Sequence, residues 1–188
     1  MPFNQHSNLE GTHAFLSPSK HSWMNYSDEK LIEVYKNERA KEIGTRLHAL
    51  AAEMIECDRK SAGRDYFAHY VNDAIGYRMS TEVCLYYNDL WYGHADTIRF
   101  DEKKSLLRIH DLKTGVSRVY MDQLYQYAAL FCLEYHIRPG DIEIETRIYQ
   151  VNKDIWVEHP TVTEIAPIMD KGVHFVKLIT ERELKNLI

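Results

Sequence analysis

Apolar residues recur along the chain with two periods, and the changes between them outline its elements. A capping serine at Ser27, followed by Asp28, Glu29 and Lys30, opens a helical pattern that runs, with a break near Gly44, to about residue 57. Leu47, Leu50, Ala51 and Met54 form its apolar stripe. Residues 64–76 predict a shorter helix with Tyr66, Phe67, Tyr70, Val71 and Ala74 on one side. Residues 81–87 alternate as a strand, and Glu82 is either an inward acid or part of its polar face. Two further runs, 91–100 and 105–112, are rich in apolar and β-branched residues and flank the polar Asp101-Glu102-Lys103-Lys104, the pattern of a hairpin with its turn in water. Residues 120–135 are helical and apolar, with Leu124, Ala128, Phe131 and Leu133 as core candidates. Residues 142–151 alternate again, 155–158 can pair with them, and 163–187 read as a closing amphipathic helix. The order α, α, β, β, β, α, β, β, α predicts an α/β fold with a central mixed β-sheet flanked by helices.

The hairpin carries the chemistry. Strand side chains alternate, so Leu107, Ile109, Asp111 and Lys113 share one face of the second strand, and Tyr92, His94, Asp96 and Ile98 share one face of the first. Antiparallel pairing through the short turn then brings Asp96 towards Asp111. Two adjacent carboxylates repel unless something positive lies between them, and hard oxygen ligands favour Mg²⁺ or Mn²⁺. Lys113 is placed to orient or deprotonate a water, or to meet charge developing on a phosphate. Taken alone, Asp-Leu-Lys is better read as a strand end with a surface ion pair before a turn at Gly115. His48, one step off the helical stripe, is by itself better read as a boundary residue than as a ligand. Gly44 inside a helix costs about 1 kcal/mol against alanine, which points to a close approach there by another backbone or a ligand.

Composition narrows the class. With 188 residues, 45% hydrophobic and 27% charged, the chain has the make-up of an ordinary soluble domain, and it contains no apolar run long enough to span a membrane. The amino terminus lacks a basic region followed by an apolar one, so no secretory leader is expected, and the expected compartment is the cytoplasm. Cys57, Cys84 and Cys132 are odd in number and scattered, which argues against a disulfide framework or a zinc knuckle. A net charge of −5 means that contact with a polyanion must come from a local basic set. Ser19 and Lys20, in the Ser17-Pro18-Ser19-Lys20 turn, and Arg46 are the candidates for DNA contact, joined by Lys36 and Arg39; Lys103, Lys104 and Arg118 are the fallback set. A capping turn explains Ser17 to Lys20 at least as well.

In chain order the sequence shows Gly44-Thr45-Arg46-Leu47-His48, Glu82, Gly93-His94-Ala95-Asp96, Asp111-Leu112-Lys113-Thr114-Gly115 and Gln123-Leu124-Tyr125-Gln126-Tyr127. This succession resembles the RecB-like branch of the PD-(D/E)XK nuclease superfamily, which includes RecB nuclease domains, CRISPR-associated nucleases and small phage exonucleases. Each motif is short, and the specificity lies in their order. The resemblance implies a single nuclease domain over residues 1–188 with a restriction-endonuclease-like core, hydrolysing DNA phosphodiester bonds with Mg²⁺ or Mn²⁺. An exonuclease of phage-type recombination, replication or repair is the favoured form, in a bacterial cell or phage-infected host.

By the same resemblance, His48, Asp96, Asp111 and the backbone carbonyl of Leu112 hold the metal. Asp96, Asp111 and Lys113 are catalytic, with Glu82, Gln123 and Tyr127 completing the site. An aspartate stands where the commoner second acid is glutamate, a mild departure. Some relatives hold an iron–sulfur cluster on four cysteines, and three scattered ones predict no iron–sulfur cluster here. The implied partners are DNA and a recombinase, single-strand-binding protein or helicase; a homo-oligomer is compatible with it, and no membrane is involved. Two other classes compete: a nucleic-acid-binding or regulatory protein with weak catalysis on the same fold, and a zinc hydrolase using His94 and Asp96, which lacks the HxHxDH or HExxH spacing.

Overall fold

The elements follow where the periodicity changes. In the computed structural model, which describes residues 13–186, Ser7 and Gly11, with side chains as far as Arg182, the chain divides into two compact units, Met1–Ile43 and Gly44–Ile188. In the first unit, a 3₁₀ helix, Pro18–Asn25, precedes helix α1, Asp28–Glu56. Ser27 Oγ accepts the Lys30 N–H at 3.3 Å, satisfying one of the donors left open at the start of α1. Ser17 is buried, its carbonyl accepting the Trp23 indole N–H at 3.1 Å.

In the second unit, α2 (Tyr66–Gly76) starts on Asp65, whose carboxylate accepts the Ala68 N–H at 2.8 Å. Strands β1 (Ser80–Asn88), β2 (Trp91–Asp101) and β3 (Leu106–Lys113) follow, then α3 (Asp122–Glu134), β4 (Glu143–Gln150), β5 (Trp156–Glu158) and α4 (Val162–Asn186). This is an α/β protein with a five-stranded mixed sheet in the order β1-β2-β3-β4-β5, flanked by helices. Only β3 and β4 run parallel, because α3 lies between them and a parallel return needs such a crossover. Among the described residues no helix is long and apolar enough to cross a membrane.

Cores lie on both faces of the sheet. Leu107, Ile109, Ile144 and Ile148 pack with Leu124, Ala128 and Phe131 of α3 on one face. Leu112 and Tyr149 pack with Ala51 and Ile55 of α1 and Tyr70, Val71 and Ala74 of α2 on the other. Leu50, expected on the α1 stripe, is instead 45% exposed; Ala51 and Ile55 carry the contact, four residues and one turn apart. A polar network fastens α2 to β4: Tyr149 donates to Asp73 at 2.7 Å, and Arg147 bonds Asp73 at 3.2 Å and Glu145 at 3.0 Å.

Helix α1 continues unbroken through Gly44. The glycine meets a side chain: a Cβ there would lie 2.8 Å from Thr114 Oγ1, in the turn that leaves β3. Gly44→Ala is therefore expected to lose the gain of about 1 kcal/mol that helix propensity alone would supply, and to destabilise the protein. In a Thr114→Ala background the same change should become stabilising. Urea unfolding of the four proteins checks this, and a stabilising Gly44→Ala in the parent would refute the contact.

Candidate active site

The sheet changes its pairing where the expected acids meet. The β2–β3 ladder runs from Asp101↔Leu106 to Thr97↔His110. Beyond it the Leu112 N–H donates to the Asp96 side chain, Oδ2, at 2.9 Å. On the other flank, the pairs Thr81↔Thr97 and Val83↔Ala95 bracket Glu82 and Asp96. Glu82 has a left-handed backbone, φ 48°, a conformation that costs an L-residue about 1–3 kcal/mol and collects at functional sites.

Strand faces invert at this point. Val83 and Ala95 pack against the α3-side core, whereas Thr81 donates to Glu56 of α1 on the other side. The expected shared face of Tyr92, His94, Asp96 and Ile98 is therefore interrupted. Ile98 packs in the same core as Ala95, three residues away, and His94 is exposed. Strict period two fails on β1 at the left-handed Glu82, and on β2 it fails at Asp96, which lies opposite between the same two flanking pairs.

His48, Glu82 and Asp96 converge at this irregularity. Their candidate ligand atoms all lie within 4.8 Å of one another, and His48 Nδ1 is 3.3 Å from Asp96 Oδ2. Asp111, 2% exposed, accepts a hydrogen bond from Lys113 Nζ through Oδ1 at 3.1 Å. Its Oδ2 lies 3.0 Å from the same nitrogen but out of line for a hydrogen bond, so a buried carboxylate oxygen retains open acceptor capacity. Lys113 Nζ also donates to Gln123 Oε1 at 2.8 Å, and Gln123 Nε2 donates to the Tyr127 hydroxyl at 3.2 Å. Gln123 and Tyr127, one turn apart on α3, thus form a brace for the lysine. Gly93 makes room for that brace, since a Cβ there would come within 3.0 Å of the Tyr127 ring.

Burial, and then the neighbouring Asp96 charge, push the Asp111 carboxyl from an ordinary 3.8 up to about 6, with Lys113 and His48 pulling the other way. The hydrogen bond to Asp96 holds the His48 imidazole above its usual value against the opposing effect of burial, and the charges of Asp96, Asp111 and Glu82 add to it. Three carboxylates face one lysine and one histidine, an imbalance that a divalent cation would relieve. The donor set of one imidazole and carboxylate oxygens, together with the open Asp111 oxygen, fits Mg²⁺ or Mn²⁺.

Of the residues expected to hold metal, His48 and Asp96 are together, Asp111 adjoins them, and Leu112 reaches Asp96 through its N–H. Glu82, expected among the catalytic acids, sits with the ligand candidates. The spacer role of Gly93 has only one trace in the sequence, a glycine three residues before the first acid. Because imidazole is a better ligand for Mn²⁺ than for Mg²⁺, His48→Ala is expected to reduce Mn²⁺-supported activity more than Mg²⁺-supported activity. Metal titrations of activity check this; an unchanged Mn²⁺ response would make His48 a packing residue.

The expected DNA contacts stand apart from this cluster in the chain. In the first unit the Ser19 hydroxyl bonds the Ser17 hydroxyl at 2.8 Å, and Lys20 pairs with Glu38 at 3.5 Å in an exposed position. Arg39 pairs with Glu42 at 2.7 Å, and Arg46 is exposed on the part of α1 belonging to the second unit. Exposed pairs of this kind contribute about 0–1 kcal/mol, so a phosphate can displace them cheaply. Neither a scan against protein-family models nor a search of curated proteins returned a match for this chain.

Proposed function

We propose that this protein is a divalent-metal-dependent deoxyribonuclease of the RecB-like PD-(D/E)XK type, acting on DNA ends in phage-type recombination, replication or repair. The observation that carries the reading is the pair of buried Asp111 with half-buried Lys113, braced by Gln123 and Tyr127 and adjoining the His48, Glu82 and Asp96 group. A structural ion pair needs neither a brace on its lysine nor a third and fourth ionisable group facing it.

His48, Glu82 and Asp96 would hold Mg²⁺ or Mn²⁺ with the open oxygen of Asp111 beside them. Bound there, the cation supplies polarisation of a phosphoryl oxygen and acidification of water. Lys113, 30% exposed at its side chain, is the cation that can reach substrate from this pair, meeting charge that develops on the phosphate or orienting the attacking water. Gln123 and Tyr127 fix its ammonium, so that little reorganisation is left for the moment of reaction. Asp96 accepts the Leu112 N–H, which holds its carboxylate in place between the two strands.

The test is an assay with end-labelled, end-blocked and circular DNA in Mg²⁺ and in Mn²⁺. Cleavage of free ends only, dependent on metal, supports the exonuclease; absence of metal-dependent cleavage on every substrate refutes the reading. DNA binding without cleavage in either metal would favour the binding or regulatory role instead.

A further inference from the structure

We propose that a cleft beside the Asp111–Lys113 pair binds single-stranded DNA, with bases stacked on Tyr120 and Trp156 and phosphates met by Arg118 and Lys153. This deepens the nuclease reading and rests on it for the meaning of the track, though not for its measurement. The cleft encloses 620 Å³ and is lined by Ser117, Arg118, Tyr120, Lys153 and Trp156, with Ile148 and Gln150 at its base. Ile148 is registered against Asp111 in the parallel β3–β4 ladder, and registered neighbours point to the same face of a sheet. The cleft therefore opens on the face that carries Asp111 and Lys113. One wall is the chain leaving β3 directly after Lys113, and the other is the turn that leads into β5.

This wall is built rather than loose. Gln150, 5% exposed, donates through Nε2 to the Gly115 carbonyl at 2.8 Å and the Ser117 carbonyl at 2.7 Å. The Val151 N–H reaches the Lys113 carbonyl at 3.4 Å. A buried amide spent on two loop carbonyls holds the residues around the cleft in one arrangement. On that frame the protein leaves Tyr120 55% and Trp156 40% exposed, although burying either ring would stabilise it. Trp156 Nε1 donates to Glu158 at 2.9 Å, anchoring one edge of the indole. The Arg118 guanidinium lies over one face of the Tyr120 ring, 5.0 Å from its centre, so a phosphate donor backs an aromatic platform that is still largely exposed.

The chemistry selects the strand form. Asp154 also lines the cleft, so its net charge with Arg118 and Lys153 is only +1 and attraction for phosphate is weak. Aromatic stacking must then supply the affinity. In a duplex the base faces are already stacked on each other, whereas a single strand offers them freely.

The experiment measures binding of a fluorescent oligothymidylate, an abasic strand of equal length and a blunt duplex, in metal-free buffer, to the parent, Tyr120→Ala, Trp156→Ala and Trp156→Phe. The parent is expected to bind oligothymidylate at least about ten-fold more tightly than the abasic strand, and each alanine variant to lose about ten-fold on oligothymidylate alone. Trp156→Phe should restore most of that loss, which separates stacking from misfolding. Equal binding of oligothymidylate by parent and alanine variants, equal affinity for the abasic strand, or no binding by the parent overturns the track. Because no cleavage is involved, a protein that binds through Trp156 but cuts nothing in Mg²⁺ or Mn²⁺ refutes the nuclease reading and leaves the track standing. One that cuts while Tyr120→Ala and Trp156→Ala bind as the parent does refutes the track alone.

Discussion

Asp111→Asn is expected to abolish cleavage while making the metal-free protein more stable at neutral pH. The carboxyl is pushed from 3.8 up to about 6 in the folded protein, first by burial and then by Asp96. Below about pH 4 it is protonated in folded and unfolded chains alike and affects stability little. Between about pH 4 and pH 6 it ionises in the unfolded chain before the folded one, so stability falls as pH rises; above the folded value the cost is complete. A shift of about two units corresponds to ~3 kcal/mol, and the side chain is buried enough that solvent screening removes little of it. Asparagine keeps the shape and removes the charge but also weakens the bond to Lys113, so the net gain expected at pH 7 is about 1–3 kcal/mol, or about 2–4 °C in Tm for each of those kilocalories. At pH 4 parent and variant should nearly coincide. Added Mn²⁺ should raise the Tm of the parent and leave the variant close to its metal-free value. Thermal unfolding across pH, with and without Mn²⁺, checks all three statements; a variant less stable than the parent at pH 7, or one that still cleaves, would show that Asp111 is an ordinary structural carboxylate.

Lys113→Ala should lose cleavage by about 10²–10⁴-fold, with the opposite effect on stability. Lys113 is among the groups that hold the Asp111 value down, so its removal drives that carboxyl higher and leaves it buried with His48 as the remaining group that offsets its charge. The lysine is 30% exposed at its side chain, which moderates the loss to about 1–3 kcal/mol at pH 7. Combining the two changes should return stability towards the parent without returning activity, since asparagine no longer needs the ammonium. Urea unfolding of the four proteins at pH 7, beside single-turnover cleavage, provides the cycle. A cost of Lys113→Ala as large in the Asp111→Asn background as in the parent would mean the pair is not coupled, and near-parental cleavage by Lys113→Ala would remove the lysine from the reaction. Gln123→Ala, which only releases the brace, is expected to fall between parent and Lys113→Ala in rate.

Much of the fold could be read locally. The 91–100 and 105–112 runs are the β2–β3 hairpin, the first one residue longer at its end and the second shifted by one residue so that Ser105 stays in the turn, and the helix after them is α3 within two residues at either end. Asp111 and Lys113 do share a face, because alternation along a strand needs no information from elsewhere. Gln123 and Tyr127 do stand one turn apart, because the helical repeat is equally local. The break expected at Gly44 was the reverse case. The helix runs through it, and the glycine answers to Thr114, seventy residues on, which no local pattern could name.

What the sequence by itself determined is which residue types lie on which strand and helix faces, and their order along the chain. Hydrophobic periodicity and side-chain alternation are short-range properties, and they place Asp96, Asp111, Lys113, Gln123 and Tyr127 on elements that can meet. Tertiary structure alone decided that the β2–β3 ladder should end at Thr97↔His110, that Leu112 should turn its N–H to Asp96, and that Glu82 should take φ 48° and join His48. It also decided how deeply Asp111 is buried, and with that its displaced ionisation. Each of these depends on groups far apart in the chain competing for the same hydrogen bonds and the same dry space, and that competition is settled only when the sheet and its two helical layers pack together.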